Sequence, residues 1–191
     1  MGSNIFTTHF LFFQEQAYSA IWLRLDLKDF RFSKSQRKLL RRNAKHFAPA
    51  SAPKTIDAER EALYQVYAEN FDGRLSPSIA DSLEDYGPET VFNTYETTVR
   101  EQRTNQLVAT SYFDIGQESA ASILGFYHPD QADFSLGYYT MLLEIEHCLQ
   151  HNIRYYYPGY VAPGYARFDY KLRLGNCEYY DRRKEAIVRY P

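Results

Sequence analysis

Three stretches that read as strands, Val91–Arg100, Gln106–Asp114 and Ala120–Tyr127, follow one another with only short polar turns between them, Arg103-Thr104-Asn105 and Gly116-Gln117-Glu118. Strands joined by so few residues have no room for a crossover, so they pair as an antiparallel meander. A sheet buries at least one face. The next segment, Phe134–His151, supplies a cover, because Tyr138, Met141, Leu142, Ile145 and Leu149 share one helical stripe. A short strand follows at Ile153–Tyr157, then an aromatic segment, Pro158–Lys171, broken by Pro and Gly and helical from Tyr165. A last strand with its own hairpin fills Cys177–Tyr190.

Upstream of the meander, Ile5–Phe13 and Tyr18–Leu27 read as extended, with Ile21, Leu23, Leu25 and Leu27 alternating with Trp22, Arg24 and Asp26. Ser33 followed by Gln36 is a capping-box pattern that starts a helix running from Lys34 to about Phe47. Ala48–Pro53 reads as a linker. A second helix spans Thr55–Phe71, with Ala58, Ala62, Leu63, Val66 and Tyr67 on its buried face. A short third helix lies within Ser78–Tyr86, before Gly87-Pro88. The sequence divides into a short extended segment, 1–30, and one domain, 31–191, since 191 residues leave no room for a second core of useful size.

The formal net charge of -2 conceals an uneven distribution. Arg31, Lys34, Arg37, Lys38, Arg41, Arg42 and Lys45 form a run without an acid. Without these seven, 15 of the 22 cations remain against 24 acids. A cationic helix on an acidic body points to a polyanion met at one place. The 18 Tyr and 13 Phe, beside one Trp, supply many flat rings with a polar edge. Two cysteines build no disulfide framework, no apolar run is long enough for a membrane helix, and Met1–Phe13 lacks the basic start of a signal peptide. The expectation is a cytoplasmic protein without a membrane partner. His147 and His151 lie four apart, a spacing that can bind zinc, but no Glu follows His147 and Cys148 falls toward the apolar stripe, so no metal is expected.

The order of elements is α+β, a mostly antiparallel central sheet flanked by helices, and resembles the GNAT acyltransferase fold. Local blocks are more particular. Phe32-Ser33-Lys34-Ser35-Gln36-Arg37-Lys38 continuing to Arg41-Arg42-Asn43, then Leu63-Tyr64, Tyr67 and Asp72-Gly73, then Phe126-Tyr127-His128-Pro129-Asp130 with Ser135-Leu136-Gly137-Tyr138-Tyr139, and finally Tyr155–Lys171 resemble, in order, the blocks of the arginyl-tRNA protein transferases and their bacterial leucyl-transferring relatives. That family opens with a cysteine-bearing domain. The segment before Phe32 has no Cys, which raises the expectation of a separate subunit in its place.

The resemblance implies transfer of an amino acid from aminoacyl-tRNA, the co-substrate, to the α-amine of a protein N-terminus, with no cofactor. Lys34, Arg37, Lys38, Arg41 and Arg42 become candidates for tRNA phosphates, against the reading of a solvated helix face. Tyr160 and Tyr170, beside Gly159 and Gly164, are candidates for a pocket gripping the terminal adenine and aminoacyl group, and Tyr157 joins them unless it packs a strand face. Lys171 would neutralise a phosphate or donate to the carbonyl, or else form a surface ion pair. Asp114 would orient or deprotonate the amine, or else simply end its strand. Tyr95, Glu96 and Tyr127 are further candidates for substrate contact. Ser135 and Gly137 stand where acetyl-CoA enzymes of this fold hold pyrophosphate. Phe134 and Tyr139 at the ends of that motif argue against coenzyme A, while the helix start still suits a nucleotide phosphate. Two alternatives stay open: an acyl-CoA-dependent N-acyltransferase, and a non-catalytic tRNA-binding relative.

Overall fold

The computed structural model describes residues 10–13, 16–73, 75–83 and 92–191. In chain order these form β1 (Phe10–Phe13), β2 (Gln16–Ser19), β3 (Ile21–Asp26), α1 (Lys34–Asn43), β4 (Phe47–Pro53), α2 (Ala58–Glu69) and α3 (Ile79–Leu83). They continue as β5 (Thr94–Glu101), β6 (Leu107–Ile115), β7 (Ser119–Tyr127), α4 (Leu136–Gln150), β8 (Tyr155–Val161), β9 (Glu178–Asp181) and β10 (Ala186–Arg189), with 3-10 helices at Pro129–Phe134 and Ala166–Leu174. The parts of the sequence reading that fall on 5–9, 84–86, Gly87-Pro88 and Val91 lie outside the described residues. Among the described residues no helix is long and apolar enough to cross a membrane.

The expected meander is the middle of an eight-stranded sheet in the order β10-β9-β3-β8-β7-β6-β5-β4. All neighbours are antiparallel except β7 and β8, so the α+β, mostly antiparallel arrangement of the GNAT-like fold is present. On one face, α4 packs Leu142, Ile145 and Cys148 against Leu23, Leu25, Phe113 and Tyr156. Each of the large apolar chains buried here contributes about 1.5–3 kcal/mol. On the other face, α2 and α3 pack Leu63, Tyr64 and Ile79 against Tyr112 and Phe126. Eleven of the fifteen residues of α4 are buried, which explains why an apolar surface runs nearly round the helix.

Three segments differ from the sequence reading. Ala48–Pro53 is no linker: it belongs to β4, the edge strand paired with β5 from Phe47↔Glu101 to Pro53↔Tyr95. Prolines donate no ladder bond, and an edge strand with one open side accommodates Pro49 and Pro53. Helix α1 accordingly stops at Asn43, and Phe47, 2% exposed, is a core residue of the strand. The strand expected to end at Tyr157 runs on through Pro158 and Gly159 to Val161, held by β3 on its other side through Trp22↔Tyr160 and Leu23↔Gly159. Within the first 30 residues, β3 lies in this sheet between β9 and β8, while β1 and β2 pair with each other in a separate two-stranded sheet.

Candidate active site

The cavity of this fold arises from a failure of pairing that the sequence causes. β7 and β8 run parallel only over Ser119–Ala121 and Tyr155–Tyr157. Pro158 comes next and has no N–H to give to a ladder. On the β7 side, the β6 register shifts from Tyr112↔Leu124 to Phe113↔Ser122, so Ile123 is an extra residue that bends the strand away. The strands part, and a cavity of about 650 Å³ opens between Ser122–Gly125, Pro158–Tyr160 and the start of α4.

Besides these strands, further elements build its walls. The start of α4 brings Ser135, Gly137 and Tyr138. Ser135 caps the helix in a left-handed conformation (φ 52) and makes no side-chain capping bond. Gly137 lies against Tyr127, whose ring would be 3.3 Å from an added Cβ. The segment Ala166–Leu174 contributes Arg167, Phe168, Tyr170, Lys171 and Arg173, and β3 contributes Trp22, edge-on to Tyr160 at 5.5 Å. The lining contains cations but no Asp or Glu among the described residues.

Lys171 is 8% exposed and donates to the Tyr160 carbonyl oxygen at 3.0 Å. Its Nζ also lies 4.7 Å from the centre of the Phe168 ring and 5.0 Å from that of Tyr160. Burial pushes its pKa down to about 8. Gly159 makes this position accessible: its φ is +96, and a Cβ there would stand 3.4 Å from the Lys171 ammonium. Arg173 lies over the Tyr138 ring at 4.6 Å, and Arg167 over Phe71 at 4.0 Å.

Of the residues singled out from the sequence, the structure brings Tyr127, Ser135, Gly137, Tyr160, Tyr170 and Lys171 together around this cavity. Four lie elsewhere. Asp114 accepts from the Thr94 hydroxyl at 2.6 Å. Glu96 is gripped by both arms of Arg60 at 2.6 Å, an ion pair that fixes α2 to the sheet. Tyr95 packs on Phe113 and His147. Tyr157 is on the side of β8 that faces Arg24, away from buried Tyr156. His147 and His151 stack at 4.0 Å while Cys148 is buried in the core, and no group of three His, Cys, Asp or Glu gathers as metal ligands among the described residues.

The basic helix is positioned by two buried polar residues that the charge pattern obscures. Gln36 closes the capping box with Ser33 and also donates to Tyr138 Oη at 3.1 Å and to the Arg173 and Leu174 carbonyls. Asn43, two turns on, donates to the Phe134 carbonyl at 2.9 Å. Both anchors are at the cavity's α4 side, and Lys34, Arg37, Lys38, Arg41 and Arg42 are exposed. Arg42 donates to the Asp133 carbonyl, Arg37 to that of Phe32, and none of the five pairs with an acid among the described residues. The sequence carried a signal for the anchors, two amides seven residues apart, but it was hidden within the cationic run.

The fold is shared with the C-terminal domain of a putative lysylphosphatidylglycerol synthetase from Agrobacterium fabrum, with a TM-score of 0.58 and 13% identity over 75% of this chain and 47% of that one. It is shared also with L-PGS from Bacillus licheniformis, at a TM-score of 0.52 and 11% identity over 74% and 45% of the two chains. At such identities the likeness is one of architecture alone, an α+β domain built on a mostly antiparallel sheet.

Residues 59–181 match the family of the arginine-tRNA-protein transferase C terminus, and the chain belongs to that family. Among curated relatives, the aspartate/glutamate leucyltransferase of Ruegeria sp. (strain TM1040) is 28% identical over 159 residues, 82% of this chain and 58% of that protein. That of Methylobacterium nodulans is 29% identical over 175 residues, 86% and 70% of the two chains. The chain thus spans less than two thirds of the length of the Ruegeria relative.

Proposed function

We propose that this domain transfers an amino acid from aminoacyl-tRNA to the free α-amine of a protein or peptide. The observation that carries the reading is the cavity between β7 and β8, aromatic and cationic and lined by no acid among the described residues, in a member of this family. The donor ester is already activated, and an α-amine with a pKa of roughly 7.7–8 is partly neutral in a cell. The amine nitrogen forms a bond to the ester carbonyl carbon, the C–O bond to the terminal ribose breaks, and the proton lost by nitrogen is taken up by the departing ribose oxygen. Holding both groups together and stabilising the carbonyl oxygen's developing charge supply most of the acceleration. Lys171, mostly protonated at neutral pH with its pKa about 8, is the donor to that oxygen. Tyr160, Phe168 and Tyr170 flank the adenine and aminoacyl group, and the exposed cations of α1 hold acceptor-stem phosphates.

The finer specificity follows from the same wall. Arg167, Lys171 and Arg173 favour an acceptor with an acidic first side chain, the class in the name of the leucyltransferase relatives, and leucyl is the corresponding donor; arginyl transfer of the N-degron type is the variant implied by the family description. A cytoplasmic setting, where charged tRNA is found, accompanies this reading. The test is incubation with tRNA charged with labelled Leu or Arg and peptides beginning with Asp, Glu, Lys or Arg. Label on the peptide supports transfer. Salt-sensitive tRNA binding without label supports a binding relative, and thermal stabilisation by acetyl-CoA in place of tRNA contradicts both.

A further inference from the structure

Two carboxylates are buried among the described residues, Glu96 and Glu144, and only the first has a cation. Glu144 sits in the middle of α4 and is 0% exposed. Its Oε2 accepts from the Tyr156 hydroxyl at 2.6 Å. Its Oε1 has no protein partner, and neither does the Ser111 hydroxyl, which is also enclosed. Ser111 on β6 and Ser122 on β7 nevertheless stand close enough to draw the carboxyl toward its ionised form, and both line the cavity. An acid placed in the core without a cation carries a desolvation cost of several kcal/mol, which an apolar residue or Gln would avoid.

The placement has a chemical sense. A serine hydroxyl that rotates to donate to the unpartnered Glu144 oxygen leaves its own oxygen lone pairs for a donor in the cavity. Two such oxygens, backed by a buried negative charge, suit a group with several N–H donors and a positive charge. The cations that line the cavity lie on another element, the segment Ala166–Leu174, so the negative potential is confined to the end floored by β6 and β7.

We propose that the Ser111–Ser122 end of the cavity is a binding site for a primary α-ammonium group, with Glu144 as a positioning residue that orients the two hydroxyls and supplies the counter-charge. The inference rests on the transferase reading for the source of that ammonium: both the acceptor's N-terminus and the aminoacyl group carry one. The groups facing Glu144 are Tyr156 from β8, the Ser111 and Ser122 hydroxyls, Cys148 on its own helix and Tyr170 from the segment across the cavity, none of them a cation. Burial holds the Glu144 carboxyl up to about 7, so an arriving ammonium at neutral pH draws it toward the charged form.

The test reads binding and needs no turnover. Trp22 is the chain's one tryptophan and lines the cavity, so its fluorescence reports occupancy. Peptides with a free or an acetylated N-terminus, and amide analogues of aminoacyl-adenosine with a free or an acetylated amine, are titrated into the full chain and into Glu144→Gln and Ser122→Ala. In the wild type at least one free-amine ligand binds about tenfold or more tightly than its acetylated form, as a charged hydrogen-bonded contact requires. The peptide and nucleoside arms tell which substrate's amine is held there. In both variants the preference shrinks to within about threefold while the acetylated ligand binds as before. No preference in the wild type, or a preference that survives in a folded Glu144→Gln or Ser122→Ala protein, overturns the proposal. Absence of amino-acid transfer with the preference intact would sink the transferase reading and leave the ammonium site standing.

Discussion

The Lys171 ammonium reaches the Tyr160 carbonyl oxygen at 3.0 Å, and no carboxylate pairs with it among the described residues. Burial alone lowers its pKa from 10.5 to about 8. Between those values the unfolded chain holds a proton that the folded chain does not, so stability rises with pH from about 8 to 10.5 and the full penalty applies below 8. Lys171→Met therefore raises stability at pH 7 by up to about 3 kcal/mol, seen as a higher melting temperature, and removes the rise between pH 8 and 10.5. Transfer falls by about a hundredfold or more, as for loss of an oxyanion donor. Melting curves over pH and single-turnover transfer check both; a less stable variant that keeps its activity contradicts the role.

Gly159→Ala carries the opposite signature. A φ of +96 strains any residue with a Cβ, and the new methyl would stand 3.4 Å from the Lys171 ammonium. The expectation is a stability decrease of about 1–3 kcal/mol by chemical denaturation, together with slower transfer.

Glu96→Gln separates structure from recognition. Removing the charge that Arg60 grips at 2.6 Å leaves a buried guanidinium half-paired and costs about 3–5 kcal/mol. Acceptor preference among folded molecules stays as in the wild type. A shifted preference, read from peptide competition at low temperature, would return Glu96 to the substrate site.

Reversing Arg37 and Arg41 to Glu leaves the melting temperature nearly unchanged, since both are exposed and α1 is fixed by Gln36 and Asn43. Binding of tRNA weakens, and the log–log salt slope flattens by roughly 0.7–0.9 for each phosphate no longer neutralised. Filter binding across a salt series measures it.

What the sequence made legible was local. The meander, α4 and the Ser33 cap are written in periodicity and spacing within a few residues. The cavity was legible in part, because the Gly and Tyr residues of 155–171 mark an irregular aromatic segment. The rest depends on distant partners. Nothing near Glu96 shows that Arg60, 36 residues earlier, will occupy it. Nothing near Pro49 shows that its segment becomes an edge strand, since prolines read locally as a linker. Glu144 escaped notice because an acid in a helix is ordinarily solvated, and only the packing of α4 over most of its surface buries it.

The central claim is that the gap between β7 and β8 is the transfer site, and Trp22 in its wall offers a direct measurement. Titrating the protein with a non-hydrolysable amide analogue of leucyl- or arginyl-adenosine is predicted to change Trp22 fluorescence saturably, with the same midpoint at which the analogue inhibits transfer from charged tRNA. An analogue that inhibits transfer without changing Trp22 emission, or emission that responds to acetyl-CoA and not to the analogue, would contradict it.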